Sequence, residues 1–132
     1  VEKRIVGNMK AAFTQFLAEG APAYVPKFKQ TPQEAISLIK GLGGIVVLAH
    51  PMLSNVDELI PGFVQAGLGG LEAHYPNCSE NVTRFYEGLA RKHHLVITGG
   101  SDAHGAAKKH TFIGKVRIPY DLVEKLKQAV SG

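Results

Sequence analysis

The sequence lacks several features that would set it apart from an ordinary globular domain. It has one cysteine, Cys78, so an internal disulfide is excluded. No apolar run approaches the ~20 residues of a membrane-spanning helix, so we expect no membrane association. No secretory leader and no low-complexity segment is visible, and with the single cysteine this predicts a cytoplasmic setting.

Charge of one sign is only slightly in excess. Lys and Arg number 15 against 11 Asp and Glu, which gives a formal net charge of +4. This excess favours anionic substrates such as nucleotides, but it is not the concentrated basic stripe that is typical of duplex binding. With 45% apolar residues, the chain can form one domain with its own core.

Short apolar runs alternate with helical patterns along the chain. Three of these runs are rich in β-branched or apolar residues, and their carboxyl ends are marked by His50, His74 and Thr98. These three residues are spaced 24 residues apart. Each interval has room for one helix, one strand and two short loops. This repeat predicts an α/β fold whose strands are mainly parallel.

Capping signals mark where the helices begin. Thr31, followed by Pro32 and Glu34, predicts a capping box with proline in the first turn. Pro61 cannot lie deep inside a helix, so we expect a break there and a main helix that begins at Pro61. Two further helices are predicted to begin at Ser79 and Asp121.

The two ends of the chain differ in pattern. Residues 5–18 predict an amphipathic helix, and residues 21–30 predict a connector in which Tyr24 and Val25 form a short strand. Near the other end, Phe112 to Ile118 alternates enough to predict a strand.

Metal-ligating side chains follow two of the apolar runs. His50 comes after the first run, and Asp102 with His104 comes after the third. Sites assemble just past the carboxyl ends of parallel strands, so these residues predict one shared cavity. Asp102 and His104 are two residues apart and project to the same side of an extended segment, offering a donor set suited to Zn, Mn or Fe. A hydrogen-bonded structural role is the alternative for each histidine.

Five other residues are candidates for contact with substrate. Glu72 and His74 lie on one face at the end of the middle strand, where they can orient ligands or touch substrate. The alternative for them is a buried hydrogen-bonded pair. Lys108, Lys109 and His110 follow the second metal motif closely enough to stabilise a phosphoryl group, with a solvated loop as the alternative.

The ordered segments GGIVVLAHP, GLEAHYPNCSE and LVITGGSDAHG resemble the carboxyl-terminal half of the PHP (polymerase and histidinol phosphatase) family. More narrowly, they resemble bacterial PHP-domain phosphoesterases that act on nucleotides and RNA ends. The upstream AFTQFLAEGAPAYVPK resembles that subfamily's inserted helical segment. The resemblance implies an insertion-like segment over residues 1–30 and, over residues 31–132, a partial (β/α) PHP-type barrel with three to four mainly parallel strands and flanking helices.

The resemblance also implies a ligand set. The family's Ala-His-Pro and Ser-Asp-x-His motifs match here at His50, Asp102 and His104, which would help to bind up to three divalent ions (Mn, Zn or Fe), with Asp102 and His104 counted as catalytic. Three positions depart from the family pattern, and the first is Ala103, which stands where Phe is frequent. Cys78 stands where His is frequent, and His94 stands where Gly is frequent at the turn into the last strand.

The family's first metal motifs have no counterpart here, since no histidine precedes His50. A complete eight-stranded barrel takes about 250 residues. We therefore expect a piece of a larger metal-dependent phosphoric ester hydrolase, inactive alone, whose partners are a phosphorylated small molecule or nucleotide or RNA end and the missing amino-terminal half. A non-catalytic interaction module and a metal-dependent amidohydrolase are the alternatives.

Half of a barrel would leave its sheet open. The open strands would expose unpaired backbone groups and an apolar face, which we predict to consist of Val46, Leu48, Leu71, Val96 and Ile97. We therefore expect a homo-oligomer, or else a monomer in which residues 1–30 fold back over that face.

Overall fold

A computed structural model describes residues 3–105 and 112–131 of the chain. The chain divides into two compact units, residues 1–30 and residues 31–132. That the first unit corresponds to the family's insertion stays a prediction.

The first unit contains a shorter helix than the sequence predicts. Helix α1 covers Met9–Ala12 and continues into a π-helical turn over Phe13–Leu17. The helix begins after Asn8, because Oδ1 of Asn8 accepts the N–H of Ala11 at 2.8 Å and caps the helix there. The strand predicted at Tyr24 and Val25 is wrong, since residues 21–30 contain no strand.

The second unit is built on a parallel sheet of three strands in the order β1-β2-β3. Strand β1 covers Val47–Leu48, β2 covers Gly70–His74 and β3 covers Val96–Gly99. The predicted α/β class with parallel strands is therefore confirmed. The helices are α2 Pro32–Gly41, α3 Pro51–Ser54, α4 Ile60–Ala66, α5 Glu80–Lys92 and α6 Asp121–Ser131, with a 3-10 turn at Asp57–Leu59.

The predicted helix starts agree with the structure. Thr31 accepts the N–H of Glu34 through its hydroxyl, and the Glu34 carboxylate accepts the N–H of Thr31 at 2.7 Å, which completes the capping box. Ser79 caps α5, and Pro61 lies in the first turn of α4 just after the 3-10 turn. The first residues of these helices could be predicted from the sequence, because capping depends on neighbours within three or four residues.

The core lies where the helices pack on the middle strand. Leu71 and Ala73 of β2 are fully buried and form one cluster with Tyr86 and Ala90 of α5. The prediction that Leu71 belongs to an exposed apolar face is therefore wrong, because α5 packs across β2 on that side. The other predicted members of that face are only partly buried: Val46, Leu48, Val96 and Ile97.

The strand predicted over Phe112–Ile118 is also wrong. The N–H of Lys115 donates to the carbonyl oxygen of Phe112 at 2.9 Å, and Gly114 has a φ of 77°. This turn reverses the chain in the middle of the alternating pattern, so the segment cannot extend along the sheet. Helix α6 packs against β3 at this side of the sheet.

No helix within residues 3–105 and 112–131 is both long enough and apolar enough to span a membrane.

Candidate functional site

His50 is the second residue after β1, at a sharp change of backbone direction. Its φ of 33° and ψ of 56° fall in the left-handed region, which costs a residue other than glycine about 1–2 kcal/mol. Its N–H donates to Oε2 of Glu72 at 2.6 Å. The carboxylate on β2 thus holds the turn after β1 in this conformation, and Pro51 begins the short helix α3 directly afterwards.

The imidazole ring of His50 contains a buried polar atom that needs a partner. Among the described residues, Nδ1 of His50 has no hydrogen-bond partner. The ring packs edge-on against Tyr75, with 5.8 Å between the ring centroids and 66° between the planes. Buried polar atoms are almost always paired, and a neutral imidazole nitrogen is a common metal ligand. This atom therefore fits a bound cation.

Asp102 and His104 follow β3 and are joined by two close contacts. Nδ1 of His104 lies 2.7 Å from the backbone oxygen of Asp102 and 3.8 Å from Oδ1 of the same residue. A carbonyl oxygen only accepts, so Nδ1 is the nitrogen that donates, and in the neutral ring Nε2 is the nitrogen that has the lone pair. A ligating histidine commonly donates its other nitrogen in this way.

The carboxylate of Asp102 is hydrogen-bonded to Tyr75, the first residue after β2. The hydroxyl of Tyr75 donates to Oδ2 of Asp102 at 2.9 Å. This hydrogen bond is the largest cause that raises the pKa of Tyr75, so the phenol keeps its proton and remains a donor. Asp102 has a φ of 46° and is held, like His50, in the left-handed region.

Glu72 and His74 take different partners although both lie in the carboxyl-terminal half of β2. Glu72 accepts the N–H of His50, whereas Nε2 of His74 lies 3.3 Å from Oε1 of Glu87 on α5. A Cβ at Gly100 would lie 3.8 Å from the other carboxylate oxygen of Glu72, so this side chain lies between the ends of β1 and β3. The register shift between Glu72 and His74 accompanies this divergence.

A cavity of about 570 Å³ opens beside this cluster. Tyr75, Cys78 and Asp102 line it, and Phe112 contributes an aromatic ring to its wall. Burial raises the pKa of the Cys78 thiol, with a further contribution from the charge of Glu72, so the thiol keeps its proton at neutral pH. The volume is in the range of small-molecule sites.

A second cavity of about 320 Å³ shares the segment Tyr75 to Cys78 with the first. Lys115 and Arg117 line it together with His74. The second cavity is therefore the more cationic of the two.

The structure brings the predicted ligands to one end of the sheet without closing a complete shell. Within residues 3–105 and 112–131, no group of three His, Cys, Asp or Glu side chains is close enough to hold an ion. Lys108, Lys109 and His110, which the sequence places near a phosphate, lie outside the described residues.

Tyr75, which contacts both His50 and Asp102, was not predicted from the sequence. Its signal was its position directly after β2, level with the ligand-bearing segments after β1 and β3. A single tyrosine in such a place has no distinctive spacing, and its partner Asp102 lies 27 residues away.

No protein-family model matches the chain. Over 87 residues it is 36% identical to the phosphoribosyl 1,2-cyclic phosphate 1,2-diphosphodiesterase of Eggerthella lenta, which covers 66% of this chain and 33% of that enzyme. It is 34% identical over 109 residues to the 5'-3' exoribonuclease Rnm of Escherichia coli, covering 79% of this chain and 37% of the relative. It is 29% identical over 119 residues to the 3',5'-nucleoside bisphosphate phosphatase of Chromobacterium violaceum, covering 86% and 42%.

This chain is a homologue of the PHP-family phosphoesterases. The family predicted from the motifs is thereby confirmed. The chain spans about a third to two fifths of the length of these relatives.

Solved structures agree with the relationship. A protein from Bifidobacterium adolescentis, assigned as a metal-dependent phosphoesterase, superposes with a TM-score of 0.68 at 28% identity, covering 91% of this chain and 44% of that protein. A second structure, described as an amidohydrolase from Chromobacterium violaceum with bound sulfate and no metal, gives a TM-score of 0.59 at 26% identity, covering 98% and 48%.

Proposed function

We propose that this chain is the carboxyl-terminal part of a metal-dependent phosphoesterase that hydrolyses phosphate esters of nucleotides or RNA ends. The names of the relatives support the substrate class, since they are a cyclic phosphate diphosphodiesterase, an exoribonuclease and a nucleoside bisphosphate phosphatase. The observation that carries the proposal is the buried, unpartnered Nδ1 of His50 beside Tyr75, whose hydroxyl donates to Asp102.

His50, Asp102 and His104 would contribute part of the shell of a divalent cluster of Mn, Zn or Fe. Two imidazoles and a carboxylate form a mixed donor set that suits these metals. The remaining ligands would come from the part of the protein that this chain does not contain. When bound, such ions lower the pKa of a coordinated water and neutralise the phosphoryl oxygens during in-line attack.

The residues around the cluster have separate tasks in this proposal. Glu72 accepts the hydrogen bond from the backbone N–H of His50 and so holds that backbone, which means that Glu72 acts on a ligand rather than on substrate. Glu87 holds His74 at the rim of the cationic cavity, where it remains able to contact substrate. The cavity beside Asp102 would receive the nucleotide, because its volume of about 570 Å³ suits a ligand of that size.

The test uses the whole protein that contains this chain, assayed on nucleoside phosphates and short 5'-phosphorylated RNA with added Mn²⁺ or Zn²⁺. Asp102→Asn and His104→Ala should each lower kcat by about 100-fold or more, because each removes a group on which the metal-activated nucleophile depends. Tyr120→Phe is the matched control, since Tyr120 is 69% exposed and lies outside the cluster. Full activity of the Asp102→Asn/His104→Ala double variant on every phosphate ester would refute the proposal.

An amide-hydrolysing enzyme is the second candidate, favoured by the description of the Chromobacterium violaceum structure. The same assay series includes small cyclic and linear amides as substrates. Turnover of amides without turnover of phosphate esters would replace the first proposal by the second. A protein that hydrolyses neither class would instead fit a non-catalytic module.

A further inference from the structure

We infer that Tyr75 is a positioning residue that couples the two ligand-bearing ends of the sheet. This inference rests on the proposed function, because it assigns Tyr75 a task toward the same divalent cluster. One side chain contacts both ligand segments: the ring packs on His50 after β1, and the hydroxyl donates to Asp102 after β3.

The position of Tyr75 in the fold explains why it can make both contacts. Strand β2 is the middle strand of the sheet, and Tyr75 is the first residue after it. A side chain there has the end of β1 on one side and the end of β3 on the other. Neither ligand segment needs to reach the other directly, because the phenol spans the gap between them.

Both ligand segments also need such support. His50 and Asp102 have φ values of 33° and 46°, and left-handed backbone at residues other than glycine persists only where the surroundings hold it. Glu72 holds the backbone of His50, but a hydrogen bond to a backbone N–H does not fix the rotation of the imidazole ring. The edge contact with Tyr75 restricts that rotation, and the hydroxyl of Tyr75 fixes one oxygen of Asp102.

The arrangement predicts a defined effect on metal binding. Outer-shell partners that orient metal ligands typically contribute 10–100-fold to metal affinity. Tyr75→Phe removes only the hydroxyl and keeps the ring on His50. We therefore expect it to weaken the ion that Asp102 helps to hold by about 10–100-fold while leaving the fold intact.

The experiment measures Mn²⁺ and Zn²⁺ binding to the whole protein by calorimetry and by metal content per chain. Wild type, Tyr75→Phe, Asp102→Asn and the control Tyr120→Phe are compared, and the unfolding midpoint of each is recorded. We expect Tyr75→Phe to lose one ion at limiting metal, Tyr120→Phe to match wild type, and excess Mn²⁺ to restore the kcat of Tyr75→Phe with little change in KM.

The outcomes separate this inference from the function on which it rests. If Asp102→Asn binds metal as wild type does, the proposed cluster fails and the inference fails with it. If Asp102→Asn loses metal but Tyr75→Phe keeps wild-type affinity, only the role of Tyr75 is overturned. A raised KM in Tyr75→Phe with unchanged metal affinity would make Tyr75 a substrate contact and would likewise overturn the positioning role.

Discussion

The hydrogen bond between Tyr86 and Asp57 gives a prediction that can be worked through in magnitude and sign. Tyr86 on α5 is 5% exposed, and its hydroxyl donates to Oδ1 of Asp57 at 3.0 Å. This bond joins α5 to the 3-10 turn that precedes α4, across 29 residues of sequence. Tyr86→Phe removes the donor and leaves the Asp57 carboxylate to water.

The expected loss of stability at neutral pH follows from the hydrogen bond. A hydrogen bond to a charged group contributes about 1.5–3 kcal/mol, and water can reach the half-buried Asp57, so we expect Tyr86→Phe to lower the free energy of unfolding by about 1–2 kcal/mol. Burial and then the hydrogen bond to Asp57 raise the pKa of Tyr86 from 10.0 to about 12. A shift of that size corresponds to about 2–3 kcal/mol of stability that is lost at alkaline pH, when this phenol ionises.

The sign of the pH dependence is fixed by the direction of this shift. The folded chain binds the phenolic proton more tightly than the unfolded chain does, so the linked stability is fully present below pH 10 and is lost as the pH rises toward about 12. Tyr86→Phe has no phenolic proton at this position, so its free energy of unfolding should lack this part of the decline at alkaline pH. The raised pKa of Tyr75 acts in both proteins and cancels in the comparison.

The assay is urea denaturation of the 132-residue chain across the alkaline range, with tyrosinate absorbance followed in parallel. The difference in free energy of unfolding between wild type and Tyr86→Phe, followed against pH, reports the titration of this one tyrosine. Tyr120→Phe is the control, because Tyr120 is exposed. Identical alkaline decline in Tyr86→Phe and wild type, or ionisation of Tyr86 at the ordinary pKa of a tyrosine, would refute the reasoning.

Three other predictions concern the core, the turn before β3 and the chain alone. Leu71→Ala should lower the free energy of unfolding by about 2–5 kcal/mol, because Leu71 is fully buried. The control Leu38→Ala, at an exposed helix position, should change it by less than about 1 kcal/mol. Equal losses in urea denaturation would contradict this prediction. His94→Gly should stabilise the chain by about 0.5–1 kcal/mol, because His94 has a φ of 54° that glycine adopts without strain. The control His93→Gly should destabilise the chain, because the φ of His93 is −103°. A thermal unfolding midpoint that falls in both variants would contradict left-handed strain at His94. The isolated chain should bind Mn²⁺ or Zn²⁺ weakly and show negligible phosphoesterase activity, because its described residues form no three-ligand group, and calorimetry that finds a tight stoichiometric site would contradict this.

Features that depend on near neighbours could be predicted from the residues alone. The capping box at Thr31 needs only Glu34, and Ser79 needs only the first turn of α5, so both were readable. The parallel strands were readable because continuous β-branched runs alternate with helical patterns at a constant interval. His94, which stands where the family often has glycine, lies at a positive φ, and this gives the family's preference at that turn a physical reason.

Features that depend on distant partners became visible only in the folded chain. The turn at Gly114 replaced a predicted strand, because alternation alone cannot show whether a strand edge is available to pair with. Glu72 reaches the N–H of His50 across 22 residues, and Tyr75 reaches Asp102 across 27. Such contacts are set by strand order, by register and by the irregularity after Glu72, none of which has a local signal in the sequence. The sequence could therefore indicate the candidate ligands, but only the fold could show that Tyr75, just after the middle strand, contacts both His50 and Asp102.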